Sequence, residues 1–304
     1  MPDARDPLPQ SAEKTEIPMA FRWNFRRTHT QVAKSLQVHP ETVRRRITRL
    51  RETGEVLQWR LMINPELIHC RFAAVELEAG SSRAKDAIIA DLAQIDGVAY
   101  FMNFQSRDLR VAFYYEDDGS LHRKLSLIHS ICGARRSQAI FWTYLLPPCA
   151  MKLRNIDWKI LAAVRKDPFR RAASIASEVR RTVRSVNRRL GAMTADCVGY
   201  LLPVRNIRTS KGLVCSFLIQ GKIEENQIDD LVSQVSGRTE LSLKFRPDLR
   251  GRTVTLNNLS VAEELLASMK NLGGVTRLKM NLVKEFIPVD AWLDEKLASM
   301  ARVE

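Results

Sequence analysis

No apolar run in this chain approaches the roughly 18–20 residues that a membrane-spanning helix needs, so no membrane segment is expected. Cysteine is scarce: Cys70, Cys132, Cys149, Cys197 and Cys215 are scattered, odd in number and never spaced as C-x-x-C. That distribution argues against a disulfide framework and a zinc module, and predicts reduced thiols in a cytoplasmic protein. The phosphate loop, G-x-S-x-G, H-E-x-x-H and any nucleophile–base pair are missing. Histidine is rare, and His122, His129 and Cys132 on one predicted helix read as buried or rim side chains, not ligands. Glu116, Asp117 and Asp118 read as a solvated turn, and Asp229 and Asp230 as surface. No catalytic residue, metal or cofactor is expected, and the chain is expected not to be an enzyme. The polar, Pro-containing start, MPDARDPLPQSAEKTEIP, lacks the apolar core of a signal peptide, and residues 1–20 are expected to form a disordered tail.

What is abundant is positive charge, in two places. The 304 residues carry a formal net charge of +14. Residues 21–60 hold a net +7 and residues 152–194 a net +9, which leaves the rest slightly negative. Concentrated basicity points to an anionic partner.

The two basic windows are also similar to each other. VAKSLQVHPETVRRRITRL from Val32 aligns without a gap on IASEVRRTVRSVNRRLGAM from Ile175, at an offset of 143 residues. Val32 meets Ile175, Leu36 meets Val179, Val43 meets Val186, Arg45 and Arg46 meet Arg188 and Arg189, and Ile47 meets Leu190. Alternating apolar runs follow each window, RFAAVELEA from Arg71 and GLVCSFLIQ from Gly212. Helical patterns are then predicted at 84–95 and 225–235, strand pairs at 98–104 with 109–116 and 239–245 with 252–257, helices at 119–131 and 260–271, and last strands at 136–146 and 275–286. Each half therefore predicts a helical module followed by β-α-β-β-α-β, the ferredoxin-like order. Pro147-Pro148 marks the boundary between halves.

Within the first window, residues 29–36 predict a short helix, Gln37-Val38-His39 a turn, and Pro40 the first position of a second helix. Thr182, at the position of His39, is a good N-cap because its hydroxyl oxygen can accept from free backbone N–H groups. Val43, Ile47 and Leu50, like Val186, Leu190 and Met193, recur at i, i+4 and i+7 and define a buried stripe. Thr42, Arg44, Arg45, Arg46 and Arg49, and Arg184, Ser185, Asn187, Arg188 and Arg189, then project outward or flank that face. Such a helix suits the major groove, where Arg pairs bidentately with guanine and Asn with adenine, while other arginines neutralise phosphates. Glu55–Ile63 and Val198–Ile207 each predict a hairpin wing.

These residues resemble the Lrp/AsnC family of transcription regulators, here in a tandem, internally duplicated form. NIDWKILAAVRKDPFRRAASIASEV is similar to the family's opening helix and first motif helix, with Asp157, Ile160, Leu161, Asp167 and Arg170 at the matching positions. Residues 29–146 look like a second copy, whose lead-in FRWNFRRT departs from the Asp-led opening helix. The resemblance implies an α+β chain: two copies of a winged helix-turn-helix plus a ferredoxin-like βαββαβ (RAM-like) domain, at 21–66, 67–148, 149–207 and 208–290, with a C-terminal helix or tail at 291–304. It implies a DNA-binding transcriptional regulator whose partner is double-stranded DNA, in a pseudo-dimeric chain that can form homodimers. It also implies an amino-acid-like small-molecule effector at Gln105, Asp108, Phe245 and Asp248. Asp108 and Asp248 match the family's turn, whereas Gln105 and Phe245 replace its glycine and would crowd a small pocket. The alternative is a sirohaem decarboxylase-like enzyme on the same architecture, which would use His and Arg in the ferredoxin-like cavity.

Overall fold

The computed structural model describes residues 25–302, apart from 55, 81–83, 135–138, 145, 210–211, 236 and 247. The chain opens with helices α1 (His29–Ser35) and α2 (Pro40–Glu52), then strand β1 (Val56–Ile63). Strand β2 (Arg71–Glu78), helix α3 (Lys85–Leu92), strands β3 (Val98–Phe104) and β4 (Asp108–Tyr115), helix α4 (Asp118–Cys132) and strand β5 (Ile140–Thr143) complete the first half. The second half has helices α5 (Asn155–Val164), α6 (Ala172–Glu178) and α7 (Val183–Ala195), strand β6 (Gly199–Arg205) and strand β7 (Leu213–Gly221). It continues with helix α8 (Glu225–Gln234), strands β8 (Arg238–Arg246) and β9 (Leu249–Leu256), helix α9 (Leu259–Lys270), strand β10 (Val275–Pro288) and helix α10 (Ala291–Met300). The fold class is α+β. Among the described residues no helix is long and apolar enough to cross a membrane.

Eight strands form one sheet in the order β5-β2-β4-β3-β10-β7-β9-β8. The halves join where β10 runs antiparallel to β3, with Phe286 opposite Met102 and Pro288 opposite Tyr100. The two edge strands, β5 and β8, come back within 8 Å of each other, so the sheet curls toward closure.

Side-chain alternation along each strand divides the core. In β2, Ala73, Val75 and Leu77 face α3 and α4, where they meet Ile88, Leu92 and Ile128. In the second half Cys215, Phe217 and Ile219 meet Ile228, Leu265 and Met269 of α8 and α9. On the opposite face Phe72, Ala74, Ala112, Tyr114 and Trp142 join a larger cluster with the buried residues of α1, α2 and α5 to α7. Burying one such aliphatic or aromatic side chain contributes about 1.5–3 kcal/mol, so this cluster ties the helical modules to the sheet.

The expected hairpin wings do not form. Each segment is a single strand, and β1 pairs antiparallel with β6, Leu61 opposite Leu201 and Ile63 opposite Gly199. The reason is local. Between Val56 and Ile63 no Gly, Pro, Asn or Asp is present to turn the chain, and the strand is buried along most of its length. Its hydrogen-bonding partner therefore comes from the other half. Gly199 permits the close approach: a Cβ there would lie 2.6 Å from the Met62 carbonyl oxygen.

Candidate functional site

The two basic helices are built alike. Leu36 N–H donates to the Val32 carbonyl and Val38 N–H to the Ala33 carbonyl, and 143 residues later Val179 donates to Ile175 and Arg181 to Ala176. Gln37 and Arg180 at these turns take the left-handed conformation, with φ of 53° and 52°. Past the second helices, Gly54 (φ 66°) and Cys197 (φ 52°) repeat the correspondence. Thr182 caps α7, its Oγ1 accepting from Ser185 N–H at 3.2 Å. In α2 the His39 Nδ1 accepts from Glu41 N–H at 3.2 Å. Val43, Ile47, Val186, Leu190 and Met193 are buried as the periodicity requires.

Arg44, Arg45, Arg46 and Arg49 are exposed on α2, and Arg184, Asn187 and Arg188 on α7, with Thr42, Ser185 and Arg189 half-buried. Of these arginines, Arg44 and Arg189 pair with carboxylates of the chain. Arg44 forms an exposed fork with Glu41, at 2.8 and 2.7 Å, and this hydrogen bond holds the Glu41 carboxyl below its ordinary value. Arg189 Nη1 donates to Asp157 Oδ1 at 2.6 Å. Asp157 is buried, and its other oxygen accepts from the Arg154 N–H at 2.8 Å, closing the first turn of α5.

The helical modules are clamped to each other and to the C-terminus. Arg26 Nη1 donates to the carbonyls of Pro168 and Arg170 in the other half. Asp290, just ahead of α10, accepts from Arg60 Nε at 3.1 Å and Arg165 Nη1 at 2.7 Å. Asp294 pairs with Arg165 at 3.0 Å and Lys166 at 2.7 Å. Burial raises the Asp290 carboxyl pKa, but the hydrogen bond and charge of Arg165 and the charge of Arg60 outweigh it, and the net shift is downward.

On the inner face of the sheet, charge is buried and paired. Arg110 donates to Glu76 Oε2 at 3.0 and 2.7 Å and to Ser216 Oγ of the other half at 3.0 Å. Asn281 Nδ2 donates to Glu76 Oε1 at 2.9 Å. Lys279 bridges Glu76 at 3.2 Å and Asp108 at 3.0 Å. The Arg110 guanidinium also lies 5.5 Å from the Phe104 ring centre and 5.2 Å from that of Trp142. Sequence reasoning missed Glu76 and Arg110, although a charge among the apolar positions inside each strand, away from the charged strand ends, was the available signal.

The expected effector residues sit at the β3–β4 and β8–β9 turns. Gln105 is exposed, and its N–H donates to the Leu282 carbonyl. Asp108 is held by Lys279, and Lys85 reaches over the same turn to the carbonyls of Phe104, Ser106 and Asp108. Asp248 Oδ2 accepts from Gln220 Nε2 at 3.2 Å. The Phe245 side chain lies outside the described residues. A separate cavity of about 600 Å³ lies against α4 and α10, lined by Cys70, Tyr114, Lys124, Leu127 and Trp292 among others. Among the described residues no group of three or more His, Cys, Asp and Glu could hold a metal ion.

No protein-family model and no curated protein matches the chain. Solved structures do. The siroheme decarboxylase NirDL in complex with an iron-uroporphyrin III analogue matches over 90% of this chain and 93% of its own, with a TM-score of 0.52 and 12% identity. NirDL in a second crystal structure matches over 95% and 99%, with a TM-score of 0.49 and 12% identity. LrpC of B. subtilis matches over 44% of this chain and 96% of its own, with a TM-score of 0.35 and 14% identity. AsnC of E. coli matches over 45% and 93%, with a TM-score of 0.30 and 18% identity. The expectation that the chain is not an enzyme is thereby corrected, because a fold likeness that spans 90% of it is to an enzyme, the siroheme decarboxylase NirDL.

Proposed function

We propose that this chain binds duplex DNA through the exposed arginines of α2 and α7, on a scaffold whose whole-length fold likeness is to a decarboxylase. The observation that carries the reading is that Arg45 and Arg188, aligned in sequence, are both exposed on helices built on the same turn. Each would face the major groove, where a guanidinium pairs bidentately with guanine. The remaining exposed basic side chains would neutralise phosphates. The shared turn hydrogen bonds and the matched positive φ values support the tandem reading, with each half a helix-turn-helix followed by a ferredoxin-like domain. Pairing of β1 with β6 would then make one chain a pseudo-dimer with two unlike half-sites.

The test is binding to genomic duplex fragments across a salt series. Affinity should fall steeply with salt, and Arg45→Ala and Arg188→Ala should each weaken specific binding by on the order of 1–3 kcal/mol. Salt-independent binding, or an unchanged footprint in both variants, would refute the reading.

A second reading is enzymatic, and the comparisons back it better than the regulatory one, because the decarboxylase likeness covers 90% of the chain with a TM-score of 0.52. On that reading a carboxylated tetrapyrrole enters the space between the inner faces of the two halves. None of the five histidines lies on a strand, and Arg110 is already paired with Glu76. Titration with iron-uroporphyrin III decides it: a shifted Soret band with saturation at micromolar protein supports it, and an unaltered spectrum removes it.

A further inference from the structure

We infer that the aligned arginines Arg46 and Arg189 do different work: Arg46 is an additional phosphate contact in the first half, and Arg189 is a positioning residue in the second. This rests on the DNA-binding reading and deepens it.

The two residues occupy the same place, 143 residues apart, each following the exposed Arg45 or Arg188. Their surroundings differ. Arg189 is bonded at 2.6 Å to Asp157, whose side chain is 2% exposed. That carboxylate also closes the first turn of α5. The guanidinium therefore links α7 to α5 and sets the angle at which α7 presents Arg184, Asn187 and Arg188. Removing it would strand a buried carboxylate, so it is not released cheaply to a phosphate. Arg46 is exposed and makes no ion pair among the described residues. Carried toward the N-terminus, the same offset sets Lys14, a residue outside the described part, against Asp157, so the sequence supplies no acid at that position. The other aligned positions diverge as well. Glu41 stands opposite Arg184, and Arg44 stands opposite Asn187. The Glu41–Arg44 pair is exposed, with the side chains 55% and 67% accessible, and salt screens it.

The chain thus keeps one equivalent contact per half, Arg45 and Arg188, and is asymmetric around it. The first half adds charge for the backbone through Arg46 and Arg49. The second adds the amide of Asn187 and a fixed helix. The expected target is a duplex with one matching base pair per half-site and a larger backbone footprint on one side.

The experiment measures the slope of log K against log salt for the full-length chain and its variants on one duplex, together with thermal midpoints. Each phosphate contact contributes about 0.9 to that slope. Arg46→Ala should flatten the slope by about 0.9 and leave the midpoint where it is. Arg189→Ala should lower the midpoint and weaken binding with the slope unchanged. Asp157→Asn combined with Arg189→Ala should be no worse than Arg189→Ala alone, and Arg189→Lys should restore part of the midpoint. If Arg189→Ala flattens the slope as much as Arg46→Ala while the midpoint holds, the division of roles is overturned and the DNA reading survives. If the unaltered chain does not bind, both are overturned.

Discussion

Gln37 and Arg180 lie 143 residues apart in the sequence and hold the same left-handed backbone, with φ of 53° and 52°. Each sits in the turn that sets one basic helix against the helix before it. A residue with a Cβ tolerates this conformation at a cost of roughly 1–2 kcal/mol, and a β-branched residue tolerates it worst. Gln37→Val and Arg180→Val should each destabilise the chain by about 1–2 kcal/mol, whereas the glycine variants should be neutral or stabilising. Chemical denaturation of the four variants checks this; a stable Val variant at either position would contradict the turn geometry.

The pair Arg110–Glu76, with side chains 3% and 0% exposed, is buried on the sheet beside Ser216 of the second half. Removing Glu76 leaves the buried Arg110 without its carboxylate, whereas removing Arg110 leaves Glu76 with Lys279 and Asn281. Glu76→Ala should cost about 3–5 kcal/mol, and Arg110→Ala should cost less. Replacing both by apolar residues should recover much of that loss, since the desolvation penalty disappears with the pair. A double-mutant cycle on thermal or urea unfolding gives the answer, and strictly additive losses would count against a coupled pair.

Asp290 supplies a pH dependence of known sign. Its carboxyl is held below the ordinary carboxylate range when folded, so its contribution is present above the unfolded value of about 4 and is lost as pH falls through the folded value. Asp290→Asn should therefore lower stability at neutral pH. The gap to the unaltered chain should close in acid, below about pH 4. Unfolding curves from pH 7 down to pH 3 would show it, and a gap that stays constant with pH would exclude the clamp.

The thiols of Cys70, Cys132 and Cys215 are buried, and burial pushes each up to about 11. The thiolate is the reactive form. At pH 8 these three should resist alkylation in the folded chain and react at once in denaturant. Peptide mapping after timed labelling tests this; rapid native labelling of Cys132 would place it outside the core.

The buried stripes of α2 and α7 were legible because a helix repeats every 3.6 residues, and Val43, Ile47, Val186 and Leu190 fall on that period. Strand positions from Arg71 to Tyr115 were legible from alternation and turn residues in the same way. The basic face was legible as charge, and its presence in both halves as a repeated apolar frame. All of these are local or periodic properties, fixed by residues a few positions apart. Pairings across long separations have no such signature. Nothing in the segment around Leu61 says that its partner is Leu201 rather than a hairpin neighbour, and nothing in Asp290 names Arg60 and Arg165. The repeat predicts equal roles for Arg46 and Arg189. Only the tertiary structure separates them, because a carboxylate from a different helix reaches Arg189 and none among the described residues reaches Arg46.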